Sequence, residues 1–292
     1  MANLRNPTVL IIGAGSMGLV TGYHLCLAGA QVTYLVHPKR AEELKSTQFL
    51  YRLDTQDIHE YKSYSYFTDP SSILSSTYDY ILITIDVFSW VPEIGFLEKS
   101  GLPNGQVTSA GLGMEAYSGK TASLPIYSPA NPELVKKADV AYVDSMGNGF
   151  LLEDHVTSIS TSFPMLYNAC GVSNCVIWSP EQTALTIFPM FAVFIGLELL
   201  GWPKTKDIDT QSEVWQLTTA AAREVQMLNV CGESGTQTAK ITSEDTFSQT
   251  FAYLEEKLRP LDFQAFNRFH HGGKVVEQDR MHIDRCISQG LN

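Results

Sequence analysis

Three glycines in Gly13-Ala-Gly-Ser-Met-Gly18 stand at G-x-G-x-x-G spacing, directly behind the apolar run Thr8-Val-Leu-Ile-Ile12. Each answers a separate need. Gly13 permits a tight turn, Gly15 lets backbone N–H groups come close to a pyrophosphate, and Gly18 lets a helix pack against the strand. Ser16 and Met17 lie between them and open that helix. A helix N-terminus carries partial positive charge, so phosphate is the ligand chemistry this loop implies. After Gly29 comes a second strand-like run, Gln31-Val-Thr-Tyr-Leu-Val36, which completes a βαβ unit of the dinucleotide-binding kind.

The residue that closes the second strand separates the two nicotinamide dinucleotides. A carboxylate there binds a ribose 2′-hydroxyl. This chain instead has His37, Pro38, Lys39 and Arg40, with no acidic residue before Glu42. A basic trio suits a 2′-phosphate, so the expected cofactor is NADP(H), with Arg40 as the principal clamp. The plain alternative is a solvated helix start. Asp86 ends the run Asp79-Tyr-Ile-Leu-Ile-Thr-Ile85, at the strand end where α/β sheets bind ligands. It reads as a contact to the nicotinamide ribose or as a turn cap.

These residues need a scaffold, and 292 residues supply one large or two modest domains. A hydrophobic share of 44% with 17% charged residues is that of an ordinary globule, and the net charge of −11 argues against nucleic acid. Five scattered cysteines without C-x-x-C spacing read as reduced thiols in a cytoplasmic protein, not as a disulfide framework or a metal site. The N-terminus lacks a basic region followed by a signal-length apolar stretch. Thr183 to Trp202 is nearly continuous and apolar, but Pro189, Gly196 and Glu198 interrupt it. It reads as a buried core helix and not as a membrane span.

The first half alternates strands and helices. Asp79–Ile85, Gln106–Ala110, Ala138–Val143 and Cys175–Trp178 read as strands, and a helix covers Phe163 to Cys170. The second half is helical. Thr210-Gln-Ser-Glu213 reads as a capping box opening a helix to Gly232, Phe247 to Leu258 as a helix stopped by Pro260, and Val275 to Ile287 as another. Residues 1–179 thus form a Rossmann NADP-binding domain and 180–292 a helical substrate or dimerisation domain. Between Ile85 and Gln106 the chain offers Val87–Gly95, broken by Pro92 and Gly95. Either that crossover is irregular or the chain lacks a segment there.

With Gly13–Gly18, the Asp79–Ile85 strand and the C-terminal Pro260-Leu-Asp-Phe-Gln-Ala-Phe-Asn267, the chain resembles the ketopantoate reductase family. Phe266-Asn-Arg-Phe-His-His-Gly-Gly-Lys274 is similar to a divergent subgroup found in fungi and bacteria. The resemblance implies an α/β fold, a Rossmann domain followed by an all-helical domain like that of 6-phosphogluconate dehydrogenase. It further implies NADPH-dependent reduction of a 2-keto acid, with Asp262 where the family usually has a substrate-binding glutamate. A homodimer through the helical half is left open. The family's proton-donating lysine has no counterpart, because no lysine occurs between Lys137 and Lys204. The family's lysine after the Asp79–Ile85 strand is Asp86, and the asparagine of its Asn-Gly loop is alanine if Ala110-Gly-Leu-Gly113 is the counterpart.

Hydride delivery to a carbonyl still needs a proton or a strong donor at its oxygen. The remaining cluster is Asp262, Asn267, Arg268, His270, His271 and Lys274. His270 or His271 is the expected general acid, with Asp262 or Asn267 fixing substrate and Lys274 beside them. One exposed and one helix-capping histidine is the plain reading. Glu198, alone on its apolar helix, is a further acid if burial raises its pKa, or else a structurally paired carboxylate. Loss of the lysine and an apolar helix point to a bulkier carbonyl or imine than ketopantoate, as in secondary metabolism. A non-redox isomerase or cyclase on the same scaffold and an NADP(H) sensor are the competing readings.

Overall fold

The computed structural model describes residues 6–73, 78–85 and 107–290. The chain divides into two compact units, one of residues 1–123 and 128–177, the other of 124–127 and 178–292. Residues 124–127, inside the stretch assigned to the first half by sequence, group with the helices.

The first unit is built on a parallel sheet of order β5-β2-β1-β6. Its strands are β1 (Thr8–Ile12), β2 (Gln31–Leu35), β5 (Tyr64–Phe67) and β6 (Tyr80–Ile83), with α1 (Ser16–Leu27) joining β1 to β2. β1 pairs with β2 from Thr8↔Gln31 to Ile12↔Leu35, and with β6 from Val9↔Tyr80 to Ile12↔Ile83. Period-two alternation divides β1 between two clusters. Val9 and Ile11 enter the larger core with Leu19, Val20 and Tyr34, while Leu10 and Ile12 pack with Leu35 and Ile73 on the other face. A strand covered on both sides reads as an unbroken apolar run, as Thr8–Ile12 does.

Two further sheets depart from the expected single parallel sheet. β3 (Gln48–Arg52) and β4 (Asp57–Tyr61) form an antiparallel pair. β3 also pairs in parallel with β9 (Val140–Val143), whose other neighbour is β8 (Glu115–Tyr117). The third sheet has the order β11-β10-β7, with β7 at Ala110–Gly111, β10 at Phe150–Glu153 and β11 at Cys175–Trp178. The strands expected at Ala138–Val143, Gln106–Ala110 and Cys175–Trp178 therefore leave the parallel sheet. α2 (Pro38–Leu44), α3 (Pro132–Lys137) and α4 (Thr157–Asn168) complete the unit. α4 starts six residues before the expected Phe163 and carries Pro164 inside.

In the second unit α5 (Pro180–Leu199) opens with a true capping box, Ser179 against Gln182. It is the one helix among the described residues long and apolar enough to cross a membrane, and 44% of that window is buried. Ala184, Pro189, Phe191–Phe194 and Leu197 are covered, whereas Ile195 and Leu199 are exposed, so the helix buries one side and not its whole circumference. α6 (Glu213–Gln226) is capped by Ser212, whose Oγ accepts from Trp215 N, and not by Thr210. Its buried stripe begins at Trp215, and it ends at Gln226, ahead of a separate α7 (Gly232–Ile241). α8 (Glu244–Lys257), α9 (Phe263–Phe269), a π turn (His270–Lys274) and α10 (Val276–Gly290) follow. Segment 124–127 pairs with the chain before α9 through Tyr127 N–H to Pro260 O (2.7 Å) and an antiparallel Ile126↔Leu261 bridge.

A Cβ added to Gly18 would lie 2.4 Å from the carbonyl oxygen of Gly13 and 2.7 Å from Thr84 Oγ1. Backbone on one side leaves little room to relax. Gly18→Ala is expected to lower stability by about 1–3 kcal/mol, read from denaturant unfolding with an unchanged m-value.

Candidate functional site

A cavity of about 410 Å³ opens at the carboxyl ends of β1 and β2, lined by Gly13, Gly15, Ser16, His37, Arg40 and Ser118 among others. Gly13 has φ +100°, a conformation that L side chains rarely adopt. Gly15 is the N-cap of α1 and no side chain caps that helix. A Cβ on Gly15 would meet nothing within 4 Å, so the loop leaves open space above the helix start. Uncapped first-turn N–H groups with the helix dipole behind them make an anion site.

The loop carbonyls are held away from that opening. Thr84 Oγ1 donates to Gly13 O at 3.0 Å and to Ile12 O at 3.2 Å, and Arg40 Nε donates to Ala14 O at 2.8 Å. Arg40 reaches back from the first turn of α2, where Pro38 occupies N1 and His37 is the N-cap. Its Nη1 pairs with Glu43, one turn on, and its Nη2 has no protein hydrogen bond among the described residues. Lys39 is exposed and does not line the cavity. Met17 packs against the core instead of the opening. Asp86, with the broken stretch after it, lies outside the described residues.

Glu115, on β8 opposite Val143, was not singled out by its surroundings in sequence. Burial pushes its carboxyl up to about 7.

In the helical unit, the residues that sequence brings together do not form one cluster. Asp262 is the N-cap of α9, its Oδ1 accepting from Ala265 N at 3.1 Å. Its Oδ2 accepts from Lys204 Nζ at 2.6 Å and from Tyr127 Oη at 2.8 Å. Lys204 Nζ also donates to Tyr127 Oη at 2.5 Å. Burial raises the Asp262 pKa, but the Lys204 ammonium and these N–H and O–H donors outweigh it and hold the carboxyl below its usual range. Asp262 is thus committed to a helix cap and an ion pair. The pairing escaped sequence inspection because Lys204 and Tyr127 lie 58 and 135 positions away.

His270 sits at the other end of α9, roughly 10 Å along the axis by helical rise. Burial, with the charges of His271 and Lys274, lowers its pKa to about 3, so it is uncharged near neutral pH. His271 differs. Its Nδ1 lies 2.8 Å from Oδ2 of the buried Asp279, and its ring stacks on Phe194 at 3.7 Å. Glu198 is exposed, not buried as expected, and accepts from Trp202 Nε1 at 2.5 Å. Asn267 is 1% exposed, and its Nδ2 has no partner among the described residues. Lys274 is exposed. Among the described residues no group of His, Cys, Asp and Glu is placed to hold a metal ion.

Residues 9–100 match the sequence profile of the family described as ketopantoate reductase PanE/ApbA. The whole chain has the fold of solved members. The 2-dehydropantoate 2-reductase from Methylococcus capsulatus aligns with TM-score 0.54 and 14% identity, over 96% of this chain and 94% of that one. The PanE/ApbA family ketopantoate reductase from Ralstonia eutropha JMP134 gives 0.56 and 12%, over 97% and 98%. D-mandelate dehydrogenase, solved with NADH and anilino(oxo)acetate, gives 0.51 and 10%, over 97% of each chain. No curated protein sequence matches the chain. The fold is therefore that of the ketopantoate reductases, a Rossmann-like domain with a parallel sheet followed by a helical domain.

A carboxyl raised to about 7 in the folded state binds its proton more tightly there than in the unfolded chain. Its contribution is fully present below the unfolded value near 4.5 and is lost as pH rises toward 7. Glu115→Gln is expected to remove that decline, gaining roughly 1–3 kcal/mol over the wild type at pH 8 and nothing at pH 4, by denaturant titration at each pH.

Proposed function

We propose that the chain is an NADP(H)-dependent oxidoreductase reducing a carbonyl or imine bulkier than ketopantoate. The uncapped start of α1 and Arg40 facing one cavity is the observation that carries this reading. Bound there, the cofactor supplies a hydride. The N–H groups of Gly15 and Ser16 would hold the pyrophosphate, His37 would face the ribose, and Arg40 would hold the 2′-phosphate. The proton for the substrate oxygen is assigned to His271, whose ring Asp279 orients through Nδ1. His270 and Glu198 lack such support.

Contact of Arg40 with Glu43 favours a second reading, NADH, since the guanidinium already has a carboxylate partner; D-mandelate dehydrogenase was solved with NADH. Fluorescence titration with both cofactors decides. NADPH is expected to bind more tightly than NADH, and Arg40→Ala to weaken NADPH by about ten- to a hundredfold with little change for NADH. Equal affinities in the wild type would give the second reading, and no binding of either cofactor would end both.

A panel of 2-keto acids, aryl ketones and cyclic imines, followed at the absorbance of NADPH, tests turnover. His271→Ala is expected to lower kcat about a hundredfold with the NADPH dissociation constant unchanged. Full turnover in that variant would move the proton elsewhere.

A further inference from the structure

A second cavity, about 310 Å³, opens in the same unit as the glycine loop and shares no lining residue with it. Tyr23 of α1, Arg52 and the β4 residues Asp57 and His59, and Tyr142 of β9 border it. Its size is at the lower end of small-molecule sites.

The walls are aromatic. Tyr23 stacks on His59 with centroids 5.3 Å apart and planes 25° apart. His24, fully buried, packs edge-on against Tyr142 at 6.0 Å and lies tilted beside Tyr23 at 6.0 Å. Its Nδ1 is taken by Tyr167 Oη at 2.8 Å, and its Nε2 is buried with no partner. Two charges that act on this imidazole, from Arg52 and His59, come from residues bordering the cavity. Burial keeps the ring neutral, its pKa lowered to about 3, so it adds no positive charge behind the aromatic wall.

Charge decides what kind of ligand fits. Arg52 is neutralised by a forked contact to Asp54, with Nε 3.0 Å from Oδ1 and Nη2 3.0 Å from Oδ2. It also donates to the carbonyls of Val172 and Asp144 at 2.8 and 3.1 Å. Asp57 is exposed and has no ion pair among the described residues. One unopposed carboxylate beside tyrosine and imidazole faces attracts an organic cation.

We infer that this cavity is a second ligand site, taking a small monocationic aromatic amine, with the ammonium on Asp57 and the ring among Tyr23, His59 and Tyr142. The site is separate from the dinucleotide cavity and does not depend on the proposed reduction.

Isothermal titration calorimetry of the full chain with 2-phenylethylamine at pH 7.5 tests it, with 2-phenylethanol as the uncharged counterpart. The amine is expected to bind more tightly than about 1 mM, and the alcohol at least about tenfold more weakly. Asp57→Asn and Tyr23→Leu are each expected to weaken the amine about tenfold or more, with unfolding midpoint and NADPH titration unaltered. No heat from the amine up to about 10 mM, equal binding of amine and alcohol, or full affinity in a folded Asp57→Asn protein would each overturn the proposal.

Discussion

The contact between the end of β1 and the start of α1 governs the rest of the dinucleotide unit. Glycine at 18 lets the helix backbone come down on the Gly13 carbonyl, which fixes the direction of α1. That direction aims its uncapped N-terminus over the carboxyl ends of β1 and β2. Buried polar backbone must be satisfied somewhere. Here the carbonyls of Ile12, Gly13 and Ala14 receive donors from Thr84 and Arg40. The loop's acceptors are thus used internally, while the helix start keeps its donors for something outside. Anion affinity follows from that asymmetry more than from glycine itself.

Much of this arrangement is legible in the residues. The apolar run of β1 announces a strand covered on both faces, and the glycine spacing announces the turn and close helix. The Gln48–Phe67 region is harder to read, because β4 carries Asp57, His59 and Glu60 with several exposed positions. Its strand character comes from pairing with β3, which no local propensity signals. The helical half illustrates a different failure. Nearness in sequence suggested that Asp262, His270 and His271 act together, yet α9 intervenes and sets Asp262 and His270 at its two ends. The partners that Asp262 does have, Lys204 and Tyr127, come from distant segments and leave no periodic trace.

Tertiary pairing also redistributes chemical roles among residues of one type. His24 and His270 are both held uncharged by burial, whereas His271 faces a carboxylate. Identity alone made the two adjacent histidines equivalent; the π turn gives His270 to Phe266 and His271 to Phe194 and Asp279. Likewise Asp262 and Glu115 are both carboxyls in largely covered places, yet one is lowered by an ammonium and the other raised by burial. The environment, and not the residue type, sorts acids from ion pairs.

The Arg40–Glu43 contact bears on cofactor choice through relative magnitudes. It is an i,i+3 pair with Glu43 half exposed, its side-chain exposure 51% against 29% for Arg40. Such pairs contribute about 0.3–0.5 kcal/mol. A charge-assisted hydrogen bond to a phosphate contributes about 1.5–3 kcal/mol. Displacing Glu43 therefore costs less than the phosphate contact returns. Nε remains on Ala14 O throughout, so the guanidinium is already oriented when Nη1 is released. On the proposed NADP(H) reading, Glu43 would thus narrow the margin between a 2′-phosphate and a 2′-hydroxyl without reversing it.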